Sequence, residues 1–235
     1  MTRRKDIYGG EDPRFLPFYG LREAALCLRL PAATLRQWTL GREYEIKSGR
    51  KVFLPLIRPA DADRNLFSFV NLLEGQALRA FRREHKLGFK VIRTALASLK
   101  VLDGPRAKEH PLAFEDFLAD GLDIFVDRVG ELIMLNPPRQ IAIRAAFRNH
   151  LRRIRRDSNG PTAFFPWVGG EGETTTPVTV DPRVAFGRPV LTGTGIATAV
   201  IAGFVRAGER IEDIAEDYDL SPKQVETAVT FEEVA

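Results

Sequence analysis

One stretch, YGLREAALCLRLPAATLRQW at residues 19–38, constrains the fold of this chain more than any other. Its first half carries apolar residues at i, i+3, i+4 and i+7, the spacing of one buried face on a short helix. These residues are Leu21, Ala24, Ala25 and Leu28. Pro31 then suits the first turn of a second helix, where its missing N–H costs nothing. The stretch predicts two short helices joined by a tight turn.

The second of these helices is expected to have one inward and one outward face. Leu35 and Trp38, three residues apart, would face the core, so Arg36 and Gln37 must point outward. This arrangement is typical of a helix-turn-helix, whose second helix fits the major groove of DNA. Arginine can bind guanine and glutamine can bind adenine, each through two hydrogen bonds. We therefore predict base contacts from Arg36 and Gln37.

The segment YEIKSGRKVFLP, residues 44–55, predicts a β-hairpin, because alternating residues surround the turn signal Ser48-Gly49. A basic hairpin at this place would be a wing whose cations hold phosphates and position the module without reading sequence. With the wing included, the residues predicted to contact DNA are Arg29, Thr34, Arg36, Gln37, Arg42, Lys47, Arg50 and Lys51.

The charge distribution favours different partners for the two ends of the chain. Residues 1–60 carry twelve Lys and Arg against six Asp and Glu, whereas residues 177–235 carry five against ten. A basic head suits phosphate backbones, and an acidic tail suits a protein partner.

The N-terminal segment resembles the MerR-like winged helix-turn-helix family over residues 19–59. The residues that match the family pattern are Glu23-Ala24-Ala25, Leu28, Pro31, Thr34-Leu35-Arg36 and Trp38. The resemblance implies a DNA-binding module. The alternative is a helical hairpin that only packs against the rest of the chain.

The middle of the chain predicts a mixture of helices and hairpins. Residues 61–103 predict two helices, with Phe69, Leu72, Leu73, Gln76 and Ala80 on one face of the first, and Phe89, Ile92, Leu96 and Leu99 on one face of the second. LDIFVDRVGELIML, residues 122–135, predicts a β-hairpin with its turn at 128–130. RQIAIRAAFRNHLRRIRR predicts an amphipathic helix ending in arginines, and TAFFPW predicts a short strand.

A glycine-rich stretch, AFGRPVLTGTGIAT at residues 185–198, raises the question of a nucleotide site. A P-loop needs Gly-Lys-Ser/Thr after four spacer residues, and the dinucleotide fingerprint needs glycine where Thr198 stands. The stretch fails both tests. We expect instead that Gly187, Gly193 and Gly195 make turns and that Thr194 or Thr198 caps the helix that follows.

Three helices are predicted after this loop. The first stops at Gly208, the second contains Ile211, Ile214 and Ala215, and the third starts at the cap Ser221-Pro222 and buries Val225, Ala228 and Val229. The second helix would expose carboxylates that repel phosphate, so we expect this module to contact protein. These carboxylates belong to Glu212, Asp213, Glu216 and Asp217.

Residues 178–235 resemble a small bacterial domain family of VapB-type antitoxins. The matching residues are Pro182, Gly187, Pro189, Gly193-Thr194, Gly208, Ile214-Ala215, Tyr218, Leu220-Ser221, Gln224-Val225 and Ala228, while Gly195 stands where the family usually has a basic residue. The order of modules also resembles a mycobacterial-type VapB subgroup encoded beside a PIN-domain RNase toxin. The resemblance implies two partners, a PIN-domain RNase toxin and the operator DNA of its own operon.

The sequence does not identify which segment would inhibit the toxin. Neutralisation would come from occluding an acidic, metal-dependent RNase pocket, and the arginines of RRIRR and the glycine-rich residues 168–177 are candidates. The residues expected to contact protein are Arg152, Arg153, Arg155, Arg156, Glu212 and Glu216. We expect a homodimer, because one recognition helix reads only a half-site.

The predicted fold class is mainly α with small β-hairpins. It comprises an N-terminal winged helix-turn-helix, a middle α+β segment and a C-terminal three-helix module that is itself helix-turn-helix-like. The predicted divisions are an arm at residues 1–18 within a first domain of 1–60, a middle segment of 61–167, a linker of 168–177 and a last domain of 178–235.

No catalytic residue, metal site or cofactor is expected from the sequence. His85, His110 and His150 fall on different predicted elements, and Cys27 lies on an apolar helix face, where a small core residue is the better interpretation. No apolar run approaches the length of a membrane span, and the basic N-terminus lacks the apolar segment of a secretory signal. With one cysteine, the chain is expected in a reducing cytoplasm.

Two rival functions stay open on the sequence alone. One is an enzyme that uses residues 185–198 on a nucleotide. The other is an adaptor whose helix-turn-helix modules pair proteins and bind no DNA.

Overall fold

The computed structural model describes residues 7–46, 49–53, 55–83, 86–98, 109–110, 112–113, 122–134, 140–141, 144, 153–167 and 176–233. Over these residues the chain is mainly helical with small antiparallel β elements, which confirms the predicted fold class.

The N-terminal segment is a winged helix-turn-helix. Helices α1 (Leu21–Cys27) and α2 (Ala32–Leu40) are followed by strands β1 (Arg42–Ile46) and β2 (Gly49–Phe53), which pair antiparallel. The inward face of α1 is closed, because Ala24, Ala25 and Leu28 are all buried. Cys27 is buried there too, as expected of a small core residue.

The segment ahead of α1, which we predict to be an arm, is described from residue 7 onwards. Over residues 7–18 the backbone turns twice and lies against the body of the protein. The Tyr8 hydroxyl donates to the Pro182 carbonyl at 2.9 Å. Arg14 is only 5% exposed and forms an ion pair with Asp12. Phe15 and Phe18 of this segment pack on the apolar core, a contact that its Gly and Pro content did not indicate.

Two middle helices follow the sequence prediction, and a third corrects it. Helices α3 (Phe69–Arg83) and α4 (Phe89–Ser98) lie where two helices were expected. Residues 122–135 do not form a hairpin: Leu122–Ile133 is helix α5. Its buried residues are spaced i, i+3, i+4 and i+7, and they are Leu122, Phe125, Val126 and Val129. Burial of this helical face against α3, where Phe81 and Phe125 stack at 4.3 Å, outweighs the local turn signal at Gly130.

The arginine-rich segment is the second correction. Gln140, Ile141 and Arg144 are helical, but the expected helix does not continue through 154–156, and its remaining residues lie outside the described ones. Strand β3 (Ile154–Asp157) instead pairs with β4 (Gly160–Trp167), which contains the predicted TAFFPW strand. The reason is the turn between them, where Asn159-Gly160 supplies a strong hairpin signal and Gly160 has φ +106°.

The C-terminal module has the three predicted helices, preceded by two short strands. Strands β5 (Val178–Val180) and β6 (Val190–Leu191) flank a short 3₁₀ turn at Ala185–Gly187, and helices α6 (Thr198–Arg206), α7 (Ile211–Asp217) and α8 (Pro222–Glu233) follow. The cap of α8 is as predicted: the Gln224 amide donates to Ser221 Oγ at 3.3 Å, and Ser221 N donates back to Gln224 Oε1 at 2.8 Å.

The predicted threonine cap of α6 is wrong. Ala197 occupies the N-cap position, and no side chain caps the helix. Thr194 closes the preceding glycine turn, because its hydroxyl donates to the Leu191 carbonyl and accepts from the Ile196 amide. Thr198 is buried and its hydroxyl donates to Glu232 at 2.6 Å, which links the start of α6 to the end of α8.

Strands from the middle and C-terminal segments form one sheet in the order β3-β4-β5-β6. Phe164 of β4 pairs with Val180 of β5, so the sheet spans the segment that we expect to be a linker, of which residues 168–175 lie outside the described ones. The largest apolar core also runs from Tyr19 to Val180. The helix-turn-helix therefore shares one core with the middle of the chain.

Candidate nucleic-acid interface

The core holds α2 firmly on one side. Leu35 is fully buried and Trp38 is 2% exposed. The Trp38 carbonyl accepts hydrogen bonds from the amides of Leu56 and Ile57, at 2.7 and 3.2 Å. The chain leaving the wing is thus tied to the inner face of α2. The helix and the wing are held in one orientation as a result.

The opposite face of α2 is open. Arg36 and Gln37 are exposed, as predicted, and Thr34 is half-buried. Ala33 and Leu40 are exposed as well, so the outward residues Ala33, Arg36, Gln37 and Leu40 are spaced i, i+3, i+4 and i+7. This stripe of polar and small apolar groups suits a major groove, where apolar side chains contact thymine methyl groups.

Ala33 and Leu40 were missed from the sequence. Helical periodicity places them on the side opposite the buried Leu35 and Trp38. The stripe could therefore have been predicted once those two residues were assigned to the core. Leu40 is 48% exposed, and an apolar residue left open beside two polar ones is a candidate contact.

The wing is formed, and its register places a carboxylate across from the one wing cation whose side chain is described. In the antiparallel register Arg50 pairs with Glu45, and Lys51 pairs with Tyr44. Arg50 and Glu45 are both exposed, so a carboxylate stands across from this arginine. Arg42 pairs with Phe53, and Lys47 lies outside the described residues.

Arg29, which the sequence predicts to contact DNA, makes an internal contact. Its side chain turns to the last helix, where it donates a hydrogen bond to the Phe231 carbonyl at 2.7 Å and lies over the Phe231 ring, 4.9 Å from its centroid. Burial lowers the pKa of this guanidinium, and the carboxylate of Glu232 opposes that shift. The planar guanidinium can bond a carbonyl and cover an aromatic face at the same time, and this internal contact disfavours a DNA contact from Arg29.

The candidate protein-contact residues separate into exposed and inward ones. Arg155 is exposed on β3 and lies over the Phe165 ring, 5.1 Å from its centroid. Arg156 turns inward and donates to the Ala113 carbonyl at 3.2 Å, and Arg153 is half-buried. Arg152 lies outside the described residues. Glu212 and Glu216 are exposed on α7, as predicted.

The glycine-rich loop is built as a turn. Gly187, Gly193 and Gly195 have φ of +79°, +85° and +73°, as their predicted turn roles require. Its amides are used internally: Thr194 N donates to Leu191 O, Ile196 N to the Thr194 hydroxyl, and Thr198 N to Pro189 O. A phosphate-binding loop presents such amides to its ligand, so this geometry disfavours a phosphate cradle.

A cavity of about 340 Å³ lies elsewhere, where the N-terminal segment, the exit of the wing and the middle segment meet. Phe15, Arg58, Ser68, Glu109 and His110 are among its lining residues. His110 Nδ1 lies 3.2 Å from the Glu74 carboxylate. Burial opposes the charged imidazole, but the hydrogen bond and charge of Glu74, together with the charge of Glu109, outweigh burial and raise the pKa of His110. Residues 185–198 do not line this cavity.

Neither a metal site nor a membrane helix is found in the part of the chain that the structure describes. No group of three or more His, Cys, Asp or Glu is placed to hold a metal ion there. No helix there has the length and apolar character that crossing a membrane would need.

Comparison with known proteins gives matches over both ends of the chain and over its length. The profile of a family described as "Putative DNA-binding HTH domain" matches residues 17–96, and that of "Protein of unknown function (DUF433)" matches residues 178–231. The chain is 30% identical over 233 residues to "Putative antitoxin VapB45" of Mycobacterium tuberculosis, covering 91% of this chain and 93% of that protein.

Two further relatives come from the same organism. "Uncharacterized protein Rv2308" is 24% identical, and the match covers 91% of this chain and 89% of that protein. The crystal structure of Rv2018 matches with a TM-score of 0.63 at 26% identity, covering 91% of this chain and 97% of that one. The same overall fold is therefore found in a solved protein.

Proposed function

We propose that this chain, which belongs to the VapB-type antitoxin family, binds operator DNA through α2 and its wing and represses transcription of its own gene. The observation that carries the proposal is the outward stripe of α2. Arg36 and Gln37 stand on it while Leu35 and Trp38 fix the helix from behind. Such a pair can read two bases, each for about 1–3 kcal/mol of discrimination.

Phosphate contacts would come from the wing. Arg50 is exposed, and Arg42, Lys47 and Lys51 belong to the same hairpin segment. Contacts of this kind hold the module on DNA whatever the sequence. Arg50 would have to give up its cross-strand neighbour Glu45 to contact a phosphate. Its contribution to the salt dependence of the DNA affinity should therefore be smaller than that of a cation with no carboxylate across from it.

The DNA-binding form is proposed to be a homodimer in the cytoplasm. One helix-turn-helix reads one half-site, and two related by a twofold axis read two half-sites about one helical turn apart. A palindromic operator would match that symmetry.

The test of DNA binding is fluorescence anisotropy with the duplex that lies upstream of the gene. The double change Arg36→Ala with Gln37→Ala should weaken binding by about 2–5 kcal/mol and reduce the preference over an unrelated duplex. Arg206→Ala removes one exposed positive charge from the C-terminal module and serves as control. Equal losses in the two variants would contradict base reading by α2.

The toxin partner is proposed to be a PIN-domain RNase whose acidic pocket accepts an arginine. Arg155 is the best-placed candidate of those described, since it is exposed on an edge strand of the four-stranded sheet. An arginine fits a carboxylate cluster through two parallel hydrogen bonds. The acidic face of α7, with Glu212 and Glu216, would contact a basic part of the same partner.

This second activity is tested by mixing the chain with the PIN-domain protein encoded beside it and measuring RNA cleavage. Arg155→Ala should weaken inhibition by at least about tenfold, because truncating a buried interfacial charge typically costs 2–5 kcal/mol. Arg183→Ala, which removes another exposed arginine, should leave it unchanged. A chain that inhibits the toxin but never shifts DNA would favour the adaptor instead.

A further inference from the structure

The turn between α1 and α2 has an unusual residue at its centre. Arg29 has φ +51°, the left-handed region, and the Leu30 amide donates to Ala25 O while the Arg29 amide donates to Leu26 O. This pair of hydrogen bonds is the Schellman ending of a helix, where glycine is the usual residue. An arginine there costs backbone energy that glycine would not. What arginine brings to this position, and glycine would not, is the contact that its side chain makes.

The side chain of Arg29 reaches across the chain to helix α8. It bonds the Phe231 carbonyl at 2.7 Å and covers the Phe231 ring, which is itself fully buried with Leu26 and Val178. The neighbouring Glu232 is fixed by Thr198, whose hydroxyl lies 2.6 Å from its carboxylate. The last turn of α8 is therefore also held by a hydrogen bond within its own module, which does not involve Arg29.

We infer that Arg29 is a positioning residue for DNA reading: through Phe231, helix α8 fixes the turn that sets the orientation of α2. The inference rests on the proposed DNA-binding function. Helix α2 begins at Ala32, three positions after Arg29, so a rotation of the backbone at Arg29 would swing the stripe that carries Arg36 and Gln37. The C-terminal module thus contributes to DNA affinity without touching DNA.

The test separates positioning from a direct phosphate contact by salt dependence. Losing a phosphate contact lowers the slope of log affinity against log salt by about 0.9, whereas a misplaced helix lowers affinity at an unchanged slope. Arg29→Ala and Arg29→Gly should each weaken binding to the upstream duplex by about tenfold, with the wild-type slope. Arg29→Gly relieves the backbone strain and Arg29→Ala retains it, so a loss of affinity common to both variants comes from the missing side chain and not from strain in the turn.

Two partner variants complete the experiment. Phe231→Leu keeps apolar volume in the buried cluster but removes the aromatic face, and it should weaken binding in the same direction. Combined with Arg29→Gly it should add little, since both changes remove one contact. Arg29→Lys keeps the charge and one donor and should restore part of the affinity. Arg206→Ala is the control for charge alone.

A slope lowered by about 0.9 in Arg29→Gly, with Phe231→Leu unaffected, would overturn the inference and return Arg29 to the DNA. Unchanged affinity in Arg29→Gly would overturn it as well. Amide hydrogen exchange over residues 28–35 gives a readout without DNA, and both Arg29→Ala and Phe231→Leu should speed exchange there, because each removes the contact and leaves the strain in the turn unchanged. If the wild-type protein binds no DNA, the proposed function fails. If the variants exchange at the wild-type rate, the contact between Arg29 and Phe231 does not hold the turn, and the inference fails.

Discussion

Single residues set the fit between distant parts of this chain. The Tyr19 hydroxyl is buried and donates to the Gly187 carbonyl at 2.9 Å. Gly187 has φ +79°, and a methyl group added to it would collide with the Tyr19 hydroxyl. The close approach of a tyrosine to a glycine backbone joins the start of α1 to the loop before β6.

Gly187→Ala should therefore destabilise the protein by at least about 2 kcal/mol, since it combines a left-handed backbone with a steric clash. Gly195→Ala is the matched control, because its φ of +73° is similar and the space around it is open. That control should cost only about 1 kcal/mol. Urea unfolding measures the free energy of unfolding of each variant. Equal losses in the two would mean that the Tyr19 side chain moves aside without a cost in stability.

His110 makes stability depend on pH. Burial disfavours its charged form, but Glu74 at 3.2 Å raises its pKa above the ordinary 6.5. A raised folded-state pKa contributes stability that is complete below the unfolded value and is lost as pH rises through the folded one. The loss of stability in His110→Gln should be larger at about pH 5.5 than at about pH 8.5. Urea unfolding at both pH values checks this, and a larger loss at the higher pH would contradict it.

At the scale of elements, α5 is the informative case. Gly130 lies inside α5, with the flexible end of Gln140 against it. In a helix interior alanine is favoured over glycine by roughly 0.5–1 kcal/mol. Gly130→Ala should thus leave stability equal or raise it by up to about 1 kcal/mol, provided that the Gln140 amide swings aside.

The same substitution in a hairpin turn would destabilise the protein, so thermal unfolding of Gly130→Ala separates the two structures of this segment. Gln140→Ala with Gly130→Ala removes the crowding and is the control for it. A loss of stability in both variants would contradict the helix.

What the sequence could predict depends on whether the deciding contacts are local. The helix-turn-helix was predictable because helical spacing, Pro31 and the Ser48-Gly49 turn lie within one short stretch. Residues 122–133 were misassigned because a short apolar run fits both periods, and packing against Phe81 decides between them. The role of Arg29 was out of reach, since its partner Phe231 lies 202 positions away.

At the scale of the whole molecule, the modules are expected to unfold together. Leu26 of α1, Val178 of β5 and Phe231 of α8 form one buried cluster, and the four-stranded sheet joins the middle segment to the C-terminal module. Separate domains with a loose connection would show two transitions.

Denaturant unfolding should therefore give coincident curves by Trp38 fluorescence and by far-UV circular dichroism. The measurement uses the Trp167→Phe variant, in which Trp38 is the remaining tryptophan. Leu26→Ala should shift both curves together by about 2–4 kcal/mol, as expected of a buried leucine. A shift in the fluorescence curve alone would show that the last three helices fold by themselves.

The Tyr19–Gly187 fit also limits how such a chain can be recombined. Two family profiles match its ends separately, which suggests pieces that could be exchanged between relatives. Yet the glycine is needed by a tyrosine that belongs to the other piece. A chimera that inherits Tyr19 without a glycine at 187 would carry a steric conflict at its junction, so the two ends are expected to be inherited as a pair.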